Sequence, residues 1–163
     1  MVTTLRGTPR GEGVRVAIVV ATFNDFVTEK LLTGAVEYAS QAGVSTDDVV
    51  VLRVPGSFEI PLAAQRAAET GRFDAIVCLG CLIRGATPHF EYISQAVSLG
   101  LTAAAAATGI PMAFGVLTTN SAEEALERAQ PGPTNKGWEA AQAALEMASL
   151  LAQLDPDLRG VRS

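Results

Sequence analysis

The sequence predicts an α/β domain, a three-layer α/β/α sandwich around a four-stranded parallel sheet. Four short runs, at residues 14–21, 49–54, 75–79 and 112–117, are apolar, β-branched and nearly continuous. Alternation is absent from them, as expected of strands covered on both faces. The segments between them are long enough for a crossover helix in a right-handed βαβ unit. Glycine, proline and polar capping residues stand at the joints where such helices would begin and end.

After the first run, Asn24 is placed to cap a helix whose apolar positions Val27, Leu31, Ala35 and Tyr38 share one face, and Gly43 ends it. Pro61 cannot sit deep inside a helix, so the second helix begins near Ile60, and Ser57, Phe58 and Glu59 stay in the preceding loop. Pro88 fits the first turn of a third helix capped by Thr87. That helix runs towards Gly109, and Pro111 prevents it from continuing. Ser121 and Glu124 have capping-box spacing for a fourth helix. Asn135 caps the fifth, which carries Trp138, Leu145, Met147 and Leu151. Residues 1–13 read as a flexible N-terminal arm, 14–158 as a single domain and 159–163 as a C-terminal tail.

The chain of 163 residues is 48% hydrophobic and 18% charged, a composition that buries a core and excludes disordered and fibrous classes. A net charge of −5 argues against binding nucleic acid or an anionic membrane surface. No apolar run approaches the ~20 residues of a membrane span, and the N-terminus has no hydrophobic signal core. A cytoplasmic protein is the expectation. Cys78 and Cys81 make no disulfide framework. With Cys78 inside the third strand, the odd spacing points the two thiols to opposite faces, so they read as packing residues rather than a redox or metal pair.

In open parallel sheets ligands bind beyond the carboxyl ends of the strands. That rule selects residues 22–25, 55–59, 80–89 and 118–120. Gly85, Ala86 and Thr87 lead into a helix start, which is either an anion site of free N–H groups or simply a turn and a cap. His89 is the chain's one histidine, so any imidazole acid–base step falls to it. It falls in the first helical turn at the ligand end of the sheet, beside the possible anion site, which suits proton shuttling; the alternative is a structural role. Glu59 either accepts from ligand hydroxyls or is solvated at a helix start. Phe23 either stacks on a flat heterocycle or staples the following helix. Arg128 and Lys136, far along the chain, read as surface residues.

Taken together, Phe23-Asn24, the PGSFEIP stretch at 55–61 and GCLIRGATPHFEY at 80–92 resemble the lumazine synthase family. So do FGVLTT at 114–119, ALERA at 125–129 and NKGWEAA at 135–141. The resemblance covers about residues 14–151 and implies the lumazine synthase fold, which is flavodoxin-like. It implies condensation of 5-amino-6-(D-ribitylamino)uracil with 3,4-dihydroxy-2-butanone 4-phosphate. The products would be 6,7-dimethyl-8-ribityllumazine, phosphate and water, the penultimate step of riboflavin biosynthesis, with no metal and no cofactor. By motif, Phe23 would stack on the pyrimidine, and Ser57, Phe58 and Glu59 would bind the uracil and ribityl chain. Cys81, Leu82 and Ile83 would line the ring mainly through backbone groups. Ala86 and Thr87 would offer N–H groups to the butanone phosphate, and His89 would carry protons. Phe114 and Arg128 would reach the site of an adjacent subunit, Arg128 gripping phosphate, with Lys136 near the phosphate region. Serine at 57 and cysteine at 81 replace the common alanine and threonine without removing a needed group.

The resemblance further implies a homo-oligomer with shared active sites, a pentamer that in some members closes into a sixty-subunit shell, and an association with riboflavin synthase. Three rival readings share the scaffold. A non-catalytic container or flavin-binding module has no need of Phe23, Glu59, His89 and Arg128 together. The archaeal type of riboflavin synthase does not require a place for a phosphorylated substrate. A flavodoxin-like FMN carrier would have a first loop rich in Ser and Thr, unlike residues 22–26.

Overall fold

The structure, a computed structural model, describes residues 1–155; the expected end of the domain at 158 and the tail at 159–163 lie outside them. Among the described residues the order is β1 (Val16–Ala21), α1 (Asp25–Gln41), β2 (Val49–Val54), α2 (Ile60–Glu69), β3 (Ala75–Ile83), α3 (His89–Thr108), β4 (Met112–Thr119), α4 (Ala122–Arg128) and α5 (Lys136–Leu154). All pairings are parallel, in the order β2-β1-β3-β4.

That order fixes the layers. The chain steps one way from β1 to β2 and the other way from β2 to β3 and on to β4, so right-handed crossovers put α1 on one face and α2 and α3 on the opposite face. The buried side chains divide accordingly. Val16, Ile18 and Val20 of β1 pack with Val27, Leu31 and Ala35 of α1 and with Ala140, Ala141, Ala144 and Leu145 of α5. Ala17 and Val19 pack with Ile60 and Ala64 of α2 and Val97 and Leu101 of α3. Strand β1 is buried along its whole length, which explains its unalternating sequence.

Several expected joints hold. Val27, Leu31, Ala35 and Tyr38 are all buried, and Pro61 sits in the first turn of α2. Gly109 adopts the left-handed conformation that closes α3 (φ 71°). The Asn135 side chain accepts from the amides of Gly137 and Trp138. Ser121 accepts from the Glu124 amide, but the Glu124 carboxylate reaches back to Asn120 rather than to Ser121.

Three expectations are corrected. Strand β3 continues to Ile83, so Gly80, Cys81, Leu82 and Ile83 belong to the sheet and not to the following loop. They pair with residues 116–119 of β4, whose own extension provides the partner groups. Asn24 does not cap α1 with its side chain; it is left-handed (φ 61°), and its Nδ2 donates to the Cys81 carbonyl at 2.8 Å. Thr87 is not the cap of α3, whose N-cap is Pro88 with no side-chain bond.

The first thirteen residues contain no helix or strand but lie along α1 and α5. Tyr38 Oη donates to the Pro9 carbonyl (2.9 Å), Gln153 Nε2 to the Arg6 carbonyl (2.8 Å), and the Thr8 amide to Ser149 Oγ (3.1 Å).

Candidate active site

The sheet order reverses between β1 and β3, and a crevice outside the carboxyl ends of the strands is expected there. The chain beyond β1 first keeps the sheet's pairing: the amides of Thr22 and Phe23 donate to the carbonyls of Val54 and Pro55 at 2.8 and 2.9 Å. Asn24 then turns sharply through its left-handed conformation and is tied to β3 through Cys81. The result holds Phe23 out from the sheet, 69% exposed, beside the exit of β2.

After β2, Gly56 is extended and the Glu59 amide returns to its carbonyl at 3.2 Å. Residues Ser57–Glu59 therefore form one tight 3₁₀ turn. The turn sends Ser57 inward and Phe58 outward, Ser57 being buried and Phe58 62% exposed. Ser57 enters because position 80 is glycine, for a Cβ there would meet Ser57 Oγ at 2.5 Å. Among the described residues no hydrogen bond is made by that hydroxyl. Glu59 stands half-buried at the head of α2.

The third wall comes from α3. His89 is its first residue and is exposed; Tyr92 and Ile93, three and four residues on, share its face. Phe23, Pro55, Gly56, Ser57, Phe58, Glu59, His89, Tyr92 and Ile93 together line one cavity of about 640 Å³. That size suits a ligand of cofactor or metabolite dimensions. Three aromatic rings and an imidazole offer flat apolar surface, while Ser57, Glu59 and His89 offer polar groups. Tyr92 and Ile93 were not among the residues expected to bind, although the helical repeat from His89 carries the signal for them.

The other expected residues stand elsewhere. Cys81 packs towards α1 and α5, and Leu82 into the α2–α3 layer. Burial pushes the Cys81 thiol up to about 11 and the Cys78 thiol up to about 12, so neither is a nucleophile at neutral pH. Ala86 and Thr87 lie in the exposed loop before α3, where no amide of 85–87 makes a backbone bond among the described residues. The loop thus presents free donors at the positive end of a helix of 20 residues. Phe114 faces outward from the edge strand β4, 48% exposed, and lines two smaller cavities of about 430 and 230 Å³. Arg128, at the end of α4, donates to the Glu124 carbonyl of its own helix. Lys136 pairs with Glu139 at 2.9 Å. None of these three lines the cavity of Phe23, Ser57 and His89.

Comparison with known proteins adds the identity of the fold's relatives. The sequence model of the 6,7-dimethyl-8-ribityllumazine synthase family matches residues 13–152. A 6,7-dimethyl-8-ribityllumazine synthase of Syntrophus aciditrophicus (strain SB) is 49% identical over 154 residues, which are 94% of this chain and 100% of the relative. One from Desulfatibacillum aliphaticivorans is 45% identical over 149 residues, 91% of this chain and 96% of the relative.

Proposed function

This chain belongs to the 6,7-dimethyl-8-ribityllumazine synthase family, and from that premise we propose that it condenses 5-amino-6-(D-ribitylamino)uracil with 3,4-dihydroxy-2-butanone 4-phosphate. The products are 6,7-dimethyl-8-ribityllumazine, phosphate and water, and the step is the penultimate one in riboflavin biosynthesis. The single observation that carries the reading is the convergence of Phe23, Ser57, Phe58, Glu59 and His89 on one cavity at the switch point of the sheet.

The nucleophile is the amine of the pyrimidine substrate, so the protein needs no lysine or thiolate of its own. Its task is to align two substrates, offset the phosphate charge and move protons. Phe23 stacks on the pyrimidine. Ser57 and Phe58 seat the uracil, and the Glu59 carboxylate accepts from ribityl hydroxyls. The strand tip at Cys81, Leu82 and Ile83 backs the ring with main-chain groups. The amides of Ala86 and Thr87 receive the phosphate. His89 shuttles protons as the imine forms with loss of water, phosphate is eliminated, and the second amine closes the ring with loss of water again. Holding the two substrates together is the larger expected contribution, and proton transfer adds about 10²–10⁴-fold.

Phe114 and Arg128 complete the site from a neighbouring copy in a homo-oligomer, Arg128 on the phosphate. The support is a set of outward-facing apolar side chains: Leu62, Tyr92 and Leu99 are 69, 71 and 71% exposed on α2 and α3, and Phe114 stands on the open sheet edge. A pentamer, with a sixty-subunit shell as its larger form and riboflavin synthase as a partner, fits this reading. No helix among the described residues is long and apolar enough to cross a membrane, in keeping with a cytoplasmic place of work. Mixing the purified protein with both substrates and following lumazine fluorescence tests the reaction; no fluorescence from a folded oligomer refutes it.

A further inference from the structure

Among the described residues the loop that presents the free amides makes no backbone bonds at 85–87, so its shape is imposed from its two ends. Arg84 joins those ends. Its amide is the last rung between β3 and β4, donating to the Thr119 carbonyl at 2.8 Å. Its side chain then divides three ways. Nε donates to Asn120 Oδ1 at 3.0 Å, at the exit of β4. Nη1 pairs with the Glu91 carboxylate in the first turn of α3. The guanidinium carbon lies 4.6 Å from the centroid of the Phe90 ring, and Phe90 packs into the α2–α3 core layer. A planar, forked cation can hold all three partners at once, which an ammonium cannot.

An arginine next to a phosphate loop suggests a phosphate ligand. Here its charge already faces Glu91, whose carboxyl is held below its usual value by its own backbone amide and then by Arg84. We propose that Arg84 is a positioning residue, a strut which with Glu91 and Asn120 fixes the 85–88 loop and sets His89 at the cavity, and that it is not a phosphate ligand. The inference rests on the proposed reaction for its kinetic test and on geometry alone for its structural one.

The two roles give opposite results for Glu91. Were Arg84 a phosphate ligand, Glu91→Gln would free its charge, lowering KM for the butanone phosphate and leaving kcat unchanged, while Arg84→Met would raise that KM. For the strut, Arg84→Met and Glu91→Gln both lower kcat, on the order of 10- to 100-fold as misplacement does. KM for the butanone phosphate changes much less, and the double variant is no worse than either single one. Backbone NMR order parameters at Gly85, Ala86, Thr87 and His89 provide the readout that needs no reaction. In both variants they fall from about 0.85 towards 0.6. Unchanged order parameters, or the ligand pattern of KM changes, overturn the strut. Absence of lumazine from the unsubstituted protein overturns the proposed reaction instead, and the order parameters still decide the strut.

Discussion

Ser57 Oγ occupies the space that a Cβ on Gly80 would need, 2.5 Å from its ideal position. The contact joins the 3₁₀ turn after β2 to the middle of β3 and seats the one buried polar side chain of the cavity. Gly80→Ala therefore pushes the turn outward. Overpacking of this kind costs about 1–3 kcal/mol, and because the turn also carries Phe58 and Glu59, KM for the pyrimidine rises with the loss of stability. Steady-state kinetics with each substrate varied in turn checks this; an unchanged pyrimidine KM means the turn did not move.

His89→Ala slows turnover while leaving measurable activity, because only the proton-transfer contribution of about 10²–10⁴-fold is removed and substrate alignment remains. Abolition of activity in an intact oligomer would assign the imidazole a larger role.

Arg128→Ala weakens binding of the butanone phosphate and spares the pyrimidine. Among the described residues its side chain bonds only to its own helix, so little folding stability is lost. A KM for the phosphate substrate equal to that of the unsubstituted protein refutes the role.

Both thiols are raised by burial above their ordinary value of 9.0, to about 12 for Cys78 and about 11 for Cys81. Below pH 9 folded and unfolded chains hold both protons and the thiols do not bias folding. Between roughly pH 9 and 11 the unfolded thiols ionise and the folded ones do not, so stability falls as pH rises through that window. Denaturant midpoints between pH 8 and 11 measure it. Replacing both cysteines by alanine flattens this part of the profile, though packing is lost at every pH; an unaltered slope would place its origin elsewhere.

Gly137 brings α5 against α1 so closely that a Cβ would meet the Leu31 carbonyl oxygen at 2.0 Å. Gly34 likewise leaves room for Asn135, whose Nδ2 donates to the carbonyls of Lys30 and Ala129 at 3.2 and 3.0 Å. Gly137→Ala lowers stability by about 1–3 kcal/mol, at roughly 2–4 °C of Tm per kcal/mol for a chain of this size. A thermal melt unaffected by the substitution would mean that the helices separate without cost.

The sequence made the strands legible because β1 is buried on both faces and must be continuously apolar; residues 49–54 were placed to the residue. The end of β3 was not legible. Glycine and cysteine at 80 and 81 look like a loop, and the reason for glycine there, the Ser57 side chain, comes from another part of the chain. Asn24 has the composition of a cap, yet its amide serves a carbonyl 57 positions away. The cavity residues after β1 and β2 and at the head of α3 followed from the strand-tip rule. Tyr92 and Ile93 needed only the helical repeat from His89. Phe114 and Arg128 enter the proposed site through the family resemblance alone, for among the described residues neither lines the cavity.

The single histidine makes the most direct measurement possible: the proton on its ring Cε1 gives one NMR signal, to be followed as the ribitylamino-pyrimidine alone is added. With the pyrimidine bound between Phe23 and His89, the signal shifts saturably, and the shift is lost in Phe23→Ala. A signal that stays fixed while the pyrimidine binds contradicts the placement of the reaction in this cavity.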